Sequence, residues 1–149
     1  MSTFYGLGSS EEESFNLLSK IETQADHVVR FAYCLTLNIS DAEELCQDAF
    51  REAVKKGLGF WDVDTRQLRI KLCKITWEKF NEKTYANEKS KYTVTGLLSE
   101  MDARSRTTLT LVDAMGVDAS EAFNLVGIAE EEGREILAKA RQQLVNFKF

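Results

Sequence analysis

Apolar residues recur every three or four positions along nearly the whole chain, which predicts amphipathic helices. The chain contains no proline, so no residue in it forces a helix to break. We therefore expect an all-α protein. The inner face of a first helix, and of a second helix or a continuation of the first, is marked by Phe15, Leu18, Ile21, Val28, Phe31, Ala32 and Leu35.

The first eight residues have two glycines and no apolar period, so residues 1–8 are predicted to form a flexible arm. Ser9 or Ser10, followed by Glu12 or Glu13, is typical of a helix N-terminus, where side-chain oxygens accept hydrogen bonds from free backbone amides. The first helix is therefore expected to begin near residue 9.

A strongly amphipathic helix is predicted after Ser40, which with Glu43 forms a capping box. Its opposite side is polar and faces either solvent or a partner. Gly57 and Gly59 are expected to end it. The inner positions are Ala42, Leu45, Cys46, Ala49, Phe50 and Ala53.

Near the C-terminus the pattern predicts a helix, a tight turn and a second helix. Asp118 and Glu121 form a capping box, and Gly127 supplies the residue that takes positive φ without steric cost. Two helices joined in this way can recognise DNA, with the second helix in the major groove. That second helix begins with carboxylates, however, which suit its dipole better than they suit phosphates. They are Glu130, Glu131, Glu132 and Glu135.

Between residues 66 and 91 the charge reverses, since eight basic residues stand against three acidic ones. Because the net charge of the chain is -5, the remainder must sum to -10. Trp77, Phe80 and Tyr85 lie among these cations, a mixture that can hold a nucleic-acid strand by stacking and phosphate contacts. An ordinary amphipathic helix explains the same pattern and is slightly favoured. Its partly buried residues would be Ile70, Leu72, Cys73, Ile75 and Trp77.

These elements predict two small helical domains, at residues 9–81 and 96–149, joined by a polar linker at residues 82–95. Asp102 is expected to cap a helix in the second domain. Such a linker permits either a clasped or an extended arrangement of the two domains.

Composition excludes several classes of protein. The 149 residues, 44% of them hydrophobic, suffice for a modest core. No secretory signal or membrane span is present, so a cytoplasmic location is expected. Cys34, Cys46 and Cys73 lack paired spacing and are expected to be reduced core residues, while the single His27 cannot build a zinc site with them. We expect no metal, no cofactor and no enzymatic activity, because no catalytic or phosphate-binding motif is present.

The chain resembles bacterial sigma factors of the extracytoplasmic-function type. Residues 39–54, ISDAEELCQDAFREAV, are similar to the helix with which that family binds RNA polymerase core. Residues 116–144 are similar to its promoter-recognition domain, and residues 98–111 to the segment that opens that domain. The resemblance implies a region 2-like helical bundle followed by a region 4-like helix-turn-helix. It implies as partners RNA polymerase core, through the β′ subunit, and promoter DNA.

The resemblance also implies site residues. Those that would bind the polymerase or an anti-sigma factor are Asp41, Glu43, Glu44, Gln47, Asp48 and Arg51. Those that would contact DNA are Arg66, Arg69, Lys71, Lys74, Trp77, Lys79, Arg134, Lys139 and Arg141.

The chain departs from the family where promoter DNA would be contacted. Lys71 and Glu78 stand where the family usually has tryptophan and asparagine, and Ile136 replaces an expected arginine. Two hypotheses follow: a sigma-like initiation factor, or a sigma mimic that binds an anti-sigma factor without binding promoter DNA. The basic segment favours the first, and the acidic start of the last helix favours the second.

Overall fold

In the computed structural model, which describes residues 3–83 and 101–146, the chain is all-α, as predicted, and these residues contain no strand. The helices are α1 (Thr3–Thr36), α2 (Ile39–Lys55), α3 (Leu58–Trp61), α4 (Thr65–Glu82), α5 (Ala103–Leu109), α6 (Ala119–Val126) and α7 (Glu130–Asn146). A π-helical turn, Thr110–Ala114, continues α5. Residues 84–95 of the predicted linker lie outside the described residues.

Helix α1 is one continuous helix, so the second apolar stretch is a continuation of the first. It begins at Thr3 and includes six of the eight residues expected to form an arm. The serines expected to cap it, Ser9 and Ser10, therefore lie inside it. A glycine inside a helix costs only about 1 kcal/mol relative to alanine, so two glycines without a proline do not stop a long helix from extending. The helix ends before Leu37, which has a positive φ of 57°.

The first half of the chain packs α1, α2 and α4 around an apolar centre that α3 closes. Trp61 of α3 is fully buried, and its indole nitrogen donates to the carbonyl of Ala53 at 3.0 Å. Its ring stacks on Phe50 with 6.1 Å between centroids. The segment that follows α2 is thus a short helix that places a tryptophan in the core.

The second half has a smaller centre of its own between α5, α6 and α7. Asp102 caps α5 as predicted, by accepting from the amide of Ser105 at 2.8 Å. Apolar residues of all three helices then meet, and Phe123 lies 2% exposed among them. The buried members of this cluster are Met101, Leu109, Phe123, Leu137 and Ala140.

The two halves share a third apolar cluster, which lies between α1, α2 and α4 on one side and the end of α5 with α6 on the other. Arg106 of α5 is 3% exposed and donates to the carbonyl oxygens of Cys34 and Leu35, both at 2.7 Å, at the end of α1. The helices of the two predicted domains are therefore packed together. The buried members are Phe31, Ala32, Leu35, Ala42, Leu45, Cys73, Trp77, Phe80, Leu111, Val117, Ala122, Leu125 and Val126.

Among the described residues, no helix combines the length and the apolar character needed to cross a membrane.

Candidate binding surfaces

Helix α2 is amphipathic in the way its sequence predicts. All six of the predicted inner residues are buried. The cap was predicted at Ser40, but the helix is capped two residues earlier. The side chain of Asn38 accepts a hydrogen bond from the amide of Asp41 at 2.9 Å. Asn38 and Ser40 are both good capping residues, and the sequence alone offers no strong reason to choose between them.

The outer side of α2 carries the residues predicted to bind a partner. Glu43, Glu44, Gln47 and Arg51 are exposed, and Asp41 is half-buried. Most of this row is therefore accessible to another protein.

Asp48 differs from the rest of the row, since its side chain is only 18% exposed. It accepts from Arg51 at 2.7 Å and also pairs with Lys83, which reaches Glu44 at 3.1 Å. Lys83 thus ties the outer side of α2 to the end of α4. Asp48 holds this cluster of charges together and offers little surface of its own to a partner.

An apolar groove of about 580 Å³ runs beside this row, between α1 and α2. A second concavity of about 570 Å³ adjoins it and shares Ala25, Cys46 and Gln47 with it. Burial raises the pKa of Cys46 to about 11, so its thiol stays protonated and contributes an apolar lining at neutral pH. The groove is lined by Ile21, Ala25, Cys46, Gln47, Phe50, Arg51, Val54 and Lys55.

This groove was not predicted from the sequence. It lies between α1 and α2, and apolar periodicity cannot show that a helix face is left open. One signal is Val54, an apolar residue outside the inner face of α2 that lines the groove and is 44% exposed.

The cations of α4 that were predicted to contact DNA mostly have partners within the protein. Arg66 pairs with Glu121 of α6 at 2.5 Å, and Lys79 lies 3.5 Å from Glu52 of α2. Arg69 donates to the amide oxygen of Gln24 at 3.2 Å, and the Lys71 ammonium lies 5.1 Å from the centre of the Phe60 ring. Lys74 is exposed and has no ion-pair partner in the described part of the chain.

Trp77, which was predicted to contact DNA, is buried. Trp77 is 7% exposed and stacks on Phe80, which is 6% exposed, with 6.0 Å between ring centroids. Both rings belong to the cluster shared by the two halves. A nucleic-acid base cannot stack on a ring that other side chains already cover, so the burial of Trp77 favours the alternative of an ordinary amphipathic helix. Tyr85 lies outside the described residues.

The predicted helix, tight turn and second helix are confirmed. Gly127 adopts the left-handed conformation with φ 85° at the end of α6. Gly133 lets α7 approach closely, because a Cβ atom there would lie 2.5 Å from the ring of Phe123. Asp118 caps α6 through the amide of Ser120. The reciprocal bond expected from Glu121 is absent among the described contacts, since Glu121 pairs with Arg66 instead.

The exposed start of α7 is acidic, and two of its carboxylates are held by neighbouring groups. Glu130 accepts from Arg134 and from the hydroxyl of Ser120, both at 3.2 Å, and Glu132 pairs with Arg104 at 2.8 Å. These contacts hold the carboxylates of Glu130 and Glu132 at the N-terminal end of α7. In a DNA-recognition helix, that end would contact the edges of the bases. Of the cations predicted here to contact phosphates, Arg134 is thus engaged.

The other two cations of α7 lie towards its C-terminal end. Arg141 forms two hydrogen bonds to Asp113, at 2.9 and 2.7 Å, a bidentate pair that is stronger than a single contact. Lys139 is exposed and has no ion-pair partner within residues 3–83 and 101–146.

The three cysteines are free, and Cys46 and Cys73 are buried as predicted, while Cys34 is half-buried. Burial raises the pKa of Cys73 to about 12 and that of Cys34 as well, although a hydrogen bond with Thr110 opposes the shift at Cys34. No group of three or more His, Cys, Asp or Glu side chains that could hold a metal occurs among the described residues.

No protein-family model, no curated protein and no solved structure matches this chain.

Proposed function

We propose that this chain is a sigma-factor-like protein that acts in transcription initiation and binds RNA polymerase core through the outer side of α2. The observation that carries the proposal is the combination of an exposed polar row with an adjoining apolar groove on that helix. Protein interfaces are typically built from an apolar centre inside a polar rim. The identity of the partner follows from the resemblance of residues 39–54 to the polymerase-binding helix of sigma factors.

Within the row, Glu43 and Gln47 are the principal contacts. Both are exposed and both line the concavity that extends the groove. Glu44 and Arg51 are also exposed, but each belongs to the charge cluster around Asp48 and Lys83. A partner would therefore meet Glu43 and Gln47 without first breaking an ion pair, which favours them as the centre of the interface.

A direct binding measurement with purified RNA polymerase core tests this proposal. The full chain should bind the core, and the double variant with Glu43→Arg and Gln47→Arg should bind at least about tenfold more weakly, the loss of about 1.4 kcal/mol that a modest interface centre supplies. Glu135→Arg is the matched control, because Glu135 is equally exposed but lies on α7. Absence of binding by the natural chain, or equal weakening by the control, would contradict the proposal.

A second candidate is a sigma mimic that binds an anti-sigma factor and does not bind promoter DNA. The pairing of Arg66, Lys79 and Arg141 with carboxylates favours it, as does the acidic start of α7. A cation that is already paired with a carboxylate releases fewer counterions from DNA when it contacts a phosphate. The DNA affinity of the packed arrangement is expected to be low for this reason.

The salt dependence of DNA binding distinguishes the two candidates. The complex of the chain with polymerase core should bind promoter duplex with an affinity that falls steeply as salt increases if the chain contacts phosphates. Lys74→Gln and Lys139→Gln together should lower that logarithmic slope by about 2, since one phosphate contact contributes about 1. A mimic would give no DNA binding above that of the polymerase alone, and an unchanged slope in the double variant would exclude both lysines from the contact.

A further inference from the structure

Two small cavities lie where the halves of the molecule meet, at α1 and α4 on one side and the π-helical turn with Gly116 on the other. Their volumes are about 350 and 320 Å³, and they share Arg69 and Met115. They therefore adjoin and together reach the size of a small-molecule site. The first is also lined by Thr65, Arg66, Ile70, Gly116 and Val117, and the second by His27, Arg30, Phe31, Cys34, Thr110 and Ala114.

The charge of this lining is opposite to that of the whole chain. Three arginines and the only histidine contribute to it, and none of the lining residues is acidic, although the chain has 24 acidic residues and a net charge of -5. The carboxylates that pair with two of these arginines, Asp26 with Arg30 and Glu121 with Arg66, do not belong to the lining.

Arg69 lies at the junction of the two cavities. Its Nε atom donates to Gln24 Oε1 at 3.2 Å, and Gln24 is itself 2% exposed. A buried amide therefore fixes the orientation of the guanidinium. Arg69 has no carboxylate within ion-pair distance among the described residues, so its planar fork remains available for a bidentate contact with a carboxylate or phosphate.

The remaining lining supplies hydroxyl groups and an apolar wall. Thr110 belongs to the π-helical turn, in which the amide of Met115 donates to the carbonyl of Thr110 at 3.0 Å. Such turns are rare and occur frequently at functional sites, because they displace side chains from the regular helical positions. Ile70 and Met115, both half-buried, provide apolar surface within the same lining.

We propose that these joined cavities bind a small organic anion, with a carboxylate or phosphate head against Arg69 and a compact apolar body against Ile70 and Met115. Because the lining comes from both halves of the molecule, the bound anion joins α1 and α4 to the π-helical turn. Binding therefore stabilises the packed arrangement of the halves, by an amount that grows with the logarithm of ligand concentration. This inference is independent of the proposed function.

The experiment uses the full chain and four probes: phenyl phosphate, benzoate, the neutral benzyl alcohol and inorganic phosphate. Binding is measured by titration calorimetry and by the thermal unfolding midpoint, at an ionic strength held constant with sodium chloride. One or both anions should bind saturably in the millimolar range or tighter and raise the midpoint, whereas benzyl alcohol should not. The tighter of the two anions identifies the head group. Inorganic phosphate should bind more weakly than phenyl phosphate, because it lacks the apolar body.

Variants of the lining locate the site. Arg69→Gln should weaken anion binding at least about tenfold, as expected from the loss of a charge-assisted bidentate contact. Lys74→Gln, on the same helix but outside the lining, should bind as the natural chain does. Arg30→Gln gives a second test that does not depend on how Arg69→Gln folds, because the Arg30 side chain is 74% exposed; it should weaken binding by about threefold.

Three results would overturn the inference. The first is the absence of saturable binding of either anion to the natural chain at millimolar concentration. The second is equal binding of phenyl phosphate and inorganic phosphate, which would remove the apolar wall from the site. The third is a loss of binding in Lys74→Gln as large as that in Arg69→Gln or Arg30→Gln.

Discussion

The guanidinium of Arg106 donates a hydrogen bond to the carbonyl oxygen of Leu35, 2.7 Å away at the end of α1 and 71 residues earlier in the chain. The same side chain reaches the carbonyls of Cys34 and Met101 at 2.7 and 2.8 Å. The last carbonyls of a helix have no partner within the helix. A side chain from the second half thus completes the hydrogen bonding of the longest helix in the first half.

Replacing this arginine should therefore be costly. Arg106→Met keeps most of the side-chain volume but leaves three buried carbonyls without their donor, so the free energy of unfolding should fall by about 3 kcal/mol or more. Urea denaturation followed by circular dichroism measures the change. Arg104→Gln is the matched control, since Arg104 lies on the same helix but is 45% exposed in its pair with Glu132, and should cost less than about 1 kcal/mol. Equal effects of the two substitutions would contradict the role given to Arg106.

Close packing of the last two helices can be tested at Gly133. In Gly133→Ala the new methyl group would meet the Phe123 ring at 2.5 Å, and the resulting strain should outweigh the gain in helix propensity. We expect a net loss of about 1–3 kcal/mol in unfolding free energy. At Gly59 an added Cβ has no neighbour within 4 Å, so Gly59→Ala should be neutral or slightly stabilising. A stable Gly133→Ala variant would show that α6 and α7 can separate without cost.

One buried hydroxyl has no hydrogen-bond partner within the described part of the chain. Thr107 is fully buried in α5, and its Oγ1 makes no hydrogen bond with any described residue. Thr107→Val keeps the shape of the side chain and removes a desolvated polar group, so it should leave the unfolding free energy unchanged or raise it by about 1 kcal/mol. Thr76 is equally buried, but its hydroxyl donates to the carbonyl of Leu72 at 2.7 Å. Thr76→Val should therefore destabilise the protein, and a reversed order of the two variants would refute the assignment.

Acid should weaken the link between Asp113 and α7. Hydrogen bonds from Arg141 hold the pKa of Asp113 below its ordinary value. Slight desolvation of the carboxylate opposes this shift, and the positive charge of Arg141 adds to it. Because the pKa is lowered in the folded state, the stabilisation is present above the unfolded pKa of about 3.9 and disappears as pH falls through the lower folded value. The difference in stability between the natural chain and Asp113→Asn should thus be present at neutral pH and vanish in strong acid.

The Arg141→Gln background provides the control for this prediction. Without the guanidinium, Asp113→Asn should no longer produce a difference that depends on pH in this range. Urea titrations at several pH values would measure both series. A pH-dependent difference that persists without Arg141 would assign the lowered pKa of Asp113 to another group.

Much of the fold could be predicted because the relevant signals are local. The inner face of α2 follows from helical periodicity, and the turn at Gly127 follows from the one residue type that takes positive φ without strain. Helix boundaries were less secure. Asn38 and Ser40 compete as caps within three positions, and nothing at residues 3–8 opposes the extension of α1 strongly enough to stop it.

The candidate sites could be predicted only in part, because their properties depend on contacts distant in sequence. The exposed row on α2 is a local property and was predicted. From the sequence alone, Arg66 is a cation that could contact DNA. Its ion-pair partner Glu121 lies 55 residues away in the chain, so the sequence does not show that Arg66 is already paired. Trp77 likewise lies in an apolar cluster whose other members come from both halves of the chain. The π-helical turn has no recognised sequence signal, so the cavities beside it could not be predicted either.

The order of the helices suggests two halves that could fold separately. The apolar cluster that both halves share makes each of them depend on the other. A fragment ending at residue 83 would lack the cluster members of the second half, among them Val117 and Leu125, and the complementary fragment would lack those of the first half, among them Leu35 and Trp77. Each fragment would therefore carry an exposed apolar patch. Expressing the two halves separately should give aggregates in place of two soluble proteins. A chimera that grafts another protein's C-terminal helices onto α1 to α4 would succeed only if the graft brings its own complementary surface.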